Sequence, residues 1–235
     1  MSKSKTITRW MTIALMALLL TACASIPSGS IADPRDPFER YNRAMFSFNK
    51  TVDDKVLTPV ATGYVNVIPS MIRTAIGNFF GNIGDVWTAV NNYLQGKPRE
   101  GTSDVARVVL NSTFGIVGLI DVATPSGLVQ HEEDFGQTLG VWGVKSGPYL
   151  VLPIFGASTV RDGLARPVDL YANPIGLVDN ARIENSARAL RLVDERAALL
   201  DSSRMVEDAA LDPYLFVRDA HLQRRESRVR DGMTD

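Results

Sequence analysis

The sequence predicts an all-α fold, and three observations carry that expectation. Apolar residues recur at three- and four-residue spacing, first at Phe38, Tyr41, Met45, Phe48 and Val52, then at positions 72, 76, 79, 80, 83, 87, 90 and 94, the period of one helical face. An Asp-Pro pair occurs at Asp36-Pro37 and again at Asp212-Pro213, a carboxylate placed to cap a helix and a proline at its first position. No run alternates apolar and polar residues over strand length, and no segment repeats.

The elements follow in chain order. Asp36-Pro37-Phe38-Glu39 reads as a helix start with Asp36 at the N-cap and Glu39 completing a capping box, and this helix runs to about Asp54. Pro59 and Pro69 bracket a short element. Ser70 is placed to cap a long helix that ends near Gly96, and Thr102 or Ser103 to cap another, which sets Val105, Val108, Val109 and Ser112 on one side. A short, glycine-punctuated helix is expected over 134–144. Pro148 and Pro153 bound a segment that reads as extended or as a turn, and one short helix over 157–165 ends before Pro167. Residues 182–200 make a regular amphipathic helix with Ile183, Ala187, Leu190 and Ala197 on one face. The helix opened by Asp212 gives way to a charged tail, 223–235, that frays.

Composition narrows the function classes. The 235 residues carry 25 Lys and Arg against 26 Asp and Glu, a formal charge of −1, which disfavours a general nucleic-acid binder. One cysteine excludes an internal disulfide or a cysteine-cluster metal site, and two histidines leave little for a histidine-based one; no metal and no cofactor is expected. Lys3, Lys5 and Arg9 precede an eight-residue apolar core at 13–20, too short to span a bilayer. Leu20-Thr21-Ala22-Cys23 then resembles a bacterial lipobox. Residues 1–22 are read as a lipoprotein signal peptide, Cys23 as the lipidated N-terminus of the mature chain and 23–33 as a flexible tether. Cleavage leaves 213 residues and takes the net charge to −4. The multiple acyl chains typical of such a cysteine anchor stably, where one would bind only marginally. Ala24, in place of an aspartate that would retain the protein at the inner membrane, favours the outer membrane.

Charge is unevenly placed. Over 56–96 the only charges are Arg73 and Asp85, over 135–160 the only one is Lys145, and over 179–235 there are 22. The two charge-poor blocks are either a deep core or a surface in contact with lipid or a partner. Residues 71–94 are long enough to span a membrane, at about 36 Å, but carry Asn78, Asn82, Asn91 and Asn92 with both charges, so an interfacial or core-lining helix fits better. Gly77, Gly81 and Gly84 permit either close helix packing or close approach of a backbone or acyl chain. Catalytic patterns are missing: Gly156-Ala157-Ser158-Thr159-Val160 lacks the second glycine of a nucleophile elbow. His131-Glu132-Glu133-Asp134 lacks the paired histidines of a zinc helix and reads as a solvated loop. Asp121 and Asp134 read as a helix end and an N-cap. The chain is not expected to be an enzyme.

Ordered motifs run through nearly the whole mature chain: Asp36-Pro37-Phe38-Glu39-Arg40-Tyr41-Asn42-Arg43, Asn78-Phe79-x-x-Asn82, Asn92-Tyr93-Leu94-Gln95-Gly96, Arg107 through Asn111 to Gly115, and Gly118-Leu119-Ile120-Asp121-Val122-Ala123. Further along come Glu133-Asp134-Phe135-Gly136-Gln137-Thr138-Leu139-Gly140, Gly147-Pro148-Tyr149, Arg161-Asp162 and Asp212-Pro213-Tyr214. In these the chain resembles the MlaA (VacJ) family of outer-membrane lipoproteins. The resemblance implies a helical domain over 34–222, a ring-shaped bundle of amphipathic helices with a central channel, lying in the periplasmic leaflet of the outer membrane. It implies removal of mislocalised phospholipid from the outer leaflet, transfer to an MlaC-like periplasmic carrier, and association with a trimeric porin of the OmpC/OmpF type. By position, channel-lining residues are sought among Asn42, Arg43, Asn49, Gly156, Arg161, Asp162 and Gly163, and membrane-facing ones at Phe79, Phe80, Ile83 and Trp87. The alternative is a structural or adhesin-like lipoprotein whose charge-poor stretches bind proteins.

Overall fold

The computed structural model describes residues 33–231; the signal peptide, Cys23 and all of the expected tether but Asp33 lie outside the described residues. Helix α1 (Glu39–Val52) passes without interruption through a π turn (Asp53–Leu57) into α2 (Thr58–Val67), followed by α3 (Ser70–Leu94) and α4 (Pro98–Thr113). A loop leads to α5 (Phe135–Val141), then to a hairpin of β1 (Tyr149–Leu152) and β2 (Gly156–Thr159), α6 (Val160–Ala172) and a 3-10 turn (Pro174–Leu177). Helices α7 (Ala181–Ala198), α8 (Leu200–Ala209) and α9 (Pro213–Val229) complete the chain. The strands pair antiparallel with Tyr149 opposite Thr159 and Leu152 opposite Gly156. No described helix is long and apolar enough to cross a membrane.

Several expected boundaries move, each because a distant group claims the residue. Asp36 does not cap α1, which begins after Phe38 without a side-chain cap; instead Asp36 is buried and accepts from Tyr214, Arg218 and Asn42. Neither Ser70 nor Thr102 caps: α3 begins at Ser70 after Pro69, α4 begins at Pro98, and the Thr102 hydroxyl donates to the Pro98 carbonyl inside that helix. The first three residues of the helix expected over 157–165 are strand, and α6 runs from Val160 through Pro167, whose missing N–H leaves the Gly163 carbonyl without its helical donor. The tail does not fray at 223, because α9 continues to Val229 and Arg225 is held by two carboxylates. Asp212 and Asp134 do cap α9 and α5, the first accepting from Tyr214 and Leu215, the second from Gln137.

The packing is inverted. Among the described residues, sixteen polar or charged side chains are buried against ten hydrophobic ones, the reverse of a water-soluble core. The apolar core is one small cluster, Tyr149, Val151 and Tyr214, against which Met45, Phe46, Ala157, Leu215 and Leu222 pack. Large apolar side chains instead cover the outside, among them Ile72, Val86, Val90 and Leu94 of α3 and Val105 and Val109 of α4. On α3, Asn82, Asp85, Ala89 and Asn92 turn inward on one side and Ile72, Val86, Val90 and Leu94 outward on the other, a helix with its polar stripe toward protein.

The connection after α4 is tightly wound. Gly118 N–H reaches back to the Asn111 carbonyl and Ile120 N–H to the Gly115 carbonyl, while Ile116 and Val117 adopt positive φ of 53° and 57°, a strained region for β-branched residues. A Cβ at Gly115 would lie 2.0 Å from the Ile120 carbonyl oxygen and 2.5 Å from that of Asn111. Both are backbone atoms and cannot swing aside. Gly115→Ala is therefore expected to cost about 3 kcal/mol and to lower the thermal midpoint of the detergent-solubilised protein by roughly 6–12 °C. A midpoint shifted by less than about 2 °C would contradict that reading of the turn.

Candidate functional site: a polar interior between α3 and α4

The inward stripe of α3 meets a matching stripe on α4. Asp104, Arg107 and Asn111 recur at helical spacing and are 0–3% exposed. Arg107 is the hub. Its Nε donates to Asp85 at 3.0 Å, its Nη1 to the Thr124 hydroxyl at 3.0 Å and to the Leu128 carbonyl at 2.5 Å, and its Nη2 reaches Asp121 at 3.4 Å. Gln130 donates to the second oxygen of Asp85 at 2.9 Å. Burial pushes the Asp85 carboxyl above the usual carboxylate range despite the Arg107 and Gln130 hydrogen bonds. Asp121 goes the other way: its desolvation is outweighed by hydrogen bonds from Thr124 and Asn111 and by the Arg107 charge, which hold it at about 2. Asn111 accepts the N–H groups of Val122 and Ala123 and so fixes the loop to the helix.

A second polar layer continues toward the C-terminal end of α3. Asn92 donates to Asp104 at 2.7 Å, and the His131 Nδ1 lies 2.7 Å from the other Asp104 oxygen. Asn91 accepts from the Thr138 hydroxyl at 2.7 Å, and Gln95 donates to Glu133 at 2.8 Å, with Lys97 beside it. His131 and Glu133 are thus built into the structure, not a solvated loop; Glu132 alone of that trio is largely exposed. A third cluster ties the C-terminal helix down: Arg225 grips both oxygens of Asp134, at 2.5 and 2.6 Å, and donates to Asp162 at 2.8 Å, while Arg161 holds the other Asp162 oxygen at 2.9 Å. Burial would raise the Asp162 carboxyl, but Arg225 and Arg161 outweigh it and hold it below its ordinary range. Gly136 and Gly140 make room, since a Cβ at either would strike Arg225 or Arg161 at 2.5–2.6 Å.

The polar residues expected to line a channel are each held by partners within the protein. Asn42 is fully buried and both ends of its amide are engaged, Nδ2 with Asp36 and the Tyr149 carbonyl and Oδ1 with the Val151 N–H. Asn49 repeats the device two turns on, bonding the Leu152 carbonyl and the Ile154 N–H at 2.9 and 2.7 Å. Together they satisfy the free edge of β1 from the side of α1. Arg43 pairs with Glu39 and Asp212 and lies 4.4 Å over the Tyr214 ring. Arg161 and Asp162 belong to the Arg225 cluster, Gly163 packs on Leu152, and Gly156 takes the positive φ of 78° that lets the hairpin re-enter β2.

Of the residues expected to face membrane, Phe80 is corrected: it is 6% exposed and sits edge-on against Phe79 at 5.5 Å, inside the protein. Phe79, Ile83 and Trp87 are half-buried, and Trp87 donates its ring N–H to Asp169 at 2.8 Å. The outward apolar positions of the same helix include Met71, Ile72, Val86, Val90, Tyr93 and Leu94. The reading of the sequence did not single out Asp85, Asp104, Arg107 and Asn111 as a site. Its available signal was the polar spacing 104, 107 and 111 opposite 82, 85 and 92.

Comparison with known proteins decides the family. The family model described as MlaA lipoprotein matches residues 34–228. The chain belongs to the MlaA lipoprotein family. Over 226 residues it is 37% identical to the intermembrane phospholipid transport system lipoprotein MlaA of Shigella flexneri, covering 94% of this chain and 88% of that protein. To the MlaA protein of Haemophilus influenzae it is 32% identical over 98% of this chain and 92% of the relative. A protein of Rickettsia bellii shares 39% over 83% of this chain and 76% of its own length. A solved structure reported as "Structural basis for maintenance of bacterial outer membrane lipid asymmetry" superposes with a TM-score of 0.73 at 35% identity, over 83% of this chain and 98% of the other. That likeness agrees with the expected helical fold, to which the sequence reading contributes the helices and the structure adds the small hairpin.

Proposed function

We propose that this chain is the outer-membrane lipoprotein of an intermembrane phospholipid transport system. In that role it removes phospholipid mislocalised to the outer leaflet and passes it to a periplasmic carrier of the MlaC type, which maintains the lipid asymmetry of the membrane. The observation that carries the reading is the inversion of polarity. Buried arginine, aspartate and asparagine side chains hold the helices together, and valine, leucine and isoleucine cover their outer faces. Acyl chains around such a protein take the place of a hydrophobic core, whereas water would leave that apolar surface unburied. The names of the relatives support the same reading. Lipidation at Cys23, seating in the periplasmic leaflet, a ring with an amphipathic passage and a partnership with a trimeric porin of the OmpC/OmpF type all belong to this proposal. No covalent chemistry is required of the chain, which moves its lipid intact.

Deletion of the gene, with outer-leaflet phospholipid measured by palmitoyl transfer, tests the proposal. Outer-leaflet phospholipid is expected to rise and to return to its starting level only when an intact copy is supplied. An unchanged level would overturn the transport reading and leave a lipoprotein that binds protein partners. The surface makes a companion demand: with Cys23→Ser, the chain is expected still to need detergent, because α3 and α4 keep their apolar faces.

A further inference from the structure

Between α3 and α4 lies a small, partly open cavity of about 50 Å³ whose walls are almost wholly polar. Asn78, Asn82, Arg107, Asn111, Asp121 and Gln130 line it, and Gly77 and Gly81 leave the α3 backbone bare along one side. Asn82 is 7% exposed. Its Nδ2 donates to the Ser112 hydroxyl at 3.0 Å, but its Oδ1 is buried with no partner in the protein. A buried acceptor left unsatisfied is costly, so such an atom marks the place of a donor. The nearby charges have the same sense: Arg107 stands with two carboxylates, Asp85 and Asp121, and the excess negative charge favours a cation over an anion.

Size restricts the donor further. One water needs only about 10–15 Å³ of such space, so the cavity takes a few waters or one small polar group. A Cβ at Gly81 would come 3.1 Å from the Gln130 Nε2, so glycine there makes room for the Gln130 amide, which donates to Asp85 at the edge of the cavity. Resting on the phospholipid-transport reading, we infer that this cavity takes a primary ammonium group, and that the chain therefore distinguishes an ethanolamine headgroup from choline and glycerol headgroups. A protonated primary amine offers three N–H donors to Asn82 and its neighbours and is about the size of water. A trimethylammonium group offers none, and a glycerol headgroup brings no positive charge. The glycines at 77 and 81 then serve headgroup entry and not only helix contact.

The test uses the full-length lipidated protein in detergent micelles, titrated calorimetrically with dihexanoyl phosphatidylethanolamine, phosphatidylcholine and phosphatidylglycerol. The ethanolamine lipid is expected to bind about tenfold more tightly than the other two, the size of one hydrogen bond to a charged group. Asn82→Leu should erase that preference and Asn82→Asp, which keeps an acceptor and adds charge, should retain or strengthen it, with the thermal midpoint of each variant recorded to establish folding. Competition by ammonium chloride separates the two sources of the group: displacement of the lipid at millimolar salt identifies free ammonium as an occupant, and its absence identifies the headgroup alone. Equal binding of the three lipids by the unaltered chain, or a preference that survives in both variants, would overturn the inference and leave water as the occupant. Failure to bind any of them would instead overturn the transport reading on which it rests.

Discussion

Arg107→Met is expected to destabilise the protein by about 3–5 kcal/mol, because it leaves a buried carboxylate without its cation. Asp85 and Arg107 are each 2% exposed, so the carboxylate left behind is cut off from bulk solvent. In a domain of this size the thermal midpoint of the detergent-solubilised protein should fall by about 6–20 °C. The deficit depends on pH with a definite sign. Burial already raises the Asp85 carboxyl, and losing Arg107 raises it further, so the variant can neutralise the group by taking up a proton. A carboxyl whose folded pKa is raised favours the folded state below its unfolded value and loses that contribution as pH rises through the folded one. The gap between the variant and the unaltered chain should therefore be wider at about pH 8 than at about pH 5. Asp121 acts in the opposite sense in the unaltered chain, since its drop from 3.8 to about 2 adds stability that is complete above about pH 4 and lost as pH falls toward 2. Adding Asp85→Leu to Arg107→Met should recover part of the loss, as a buried pair replaced by apolar groups of similar volume is often tolerated. Arg107→Lys should rescue little, because a single ammonium cannot reach Asp85, Thr124 and the Leu128 carbonyl together. A loss under about 1 kcal/mol for Arg107→Met would mean that the cluster does not hold the two helices.

Which parts of this architecture were legible in the sequence follows from the physics of the pattern. A helical period marks an apolar stripe whatever lies against it, so α1, α3 and α7 could be read from spacing, and α9 from its Asp-Pro start. The same period cannot say whether the stripe meets protein or lipid. That is why Phe80, indistinguishable from its neighbours in sequence, proved to be inside, while Val90 and Leu94 lie outside. Local capping rules failed where a distant group competed. Asp36 obeys the rule in sequence but is claimed by Tyr214, 178 residues away, and Asn42 and Asn49 by a strand more than 100 residues downstream. The segment between Pro148 and Pro153 could be read as extended and is β1, held by asparagines from α1, but its partner left almost no trace, since β2 is Gly-Ala-Ser-Thr, a string with no apolar alternation. The polar site was visible only in outline: 104, 107 and 111 share one face of a helix, but nothing local says that the face opposite them carries Asp85 and not a leucine.

The inverted packing yields its sharpest test on the outside of α3. Val86 and Val90 are 40% and 41% exposed and lie one helical turn apart, away from the Asn82–Asp85–Asn92 stripe. If water covered this face, Val86→Lys with Val90→Lys would be an ordinary surface change, within about 0.5 kcal/mol each. If acyl chains cover it, each ammonium must be drawn toward the headgroups or left in hydrocarbon, at a cost of up to about 3 kcal/mol for a fully immersed charge. The expected result separates the two environments in one molecule. In detergent, where the micelle adapts around the lysines, the thermal midpoint of the double variant should stay within about 4 °C of the unaltered chain. In cells lacking the chromosomal copy, the same variant should fail to bring outer-leaflet phospholipid back down, although the segment around Cys23 is unaltered. A second pair guards against a general effect of added charge: Arg182→Gln with Arg191→Gln on α7, a helix without a buried residue, should restore the phenotype fully. Full activity in the Val86→Lys, Val90→Lys variant would show that this face of α3 does not meet lipid. The apolar exterior would then be the footprint of a protein partner large enough to accommodate two lysines at its rim.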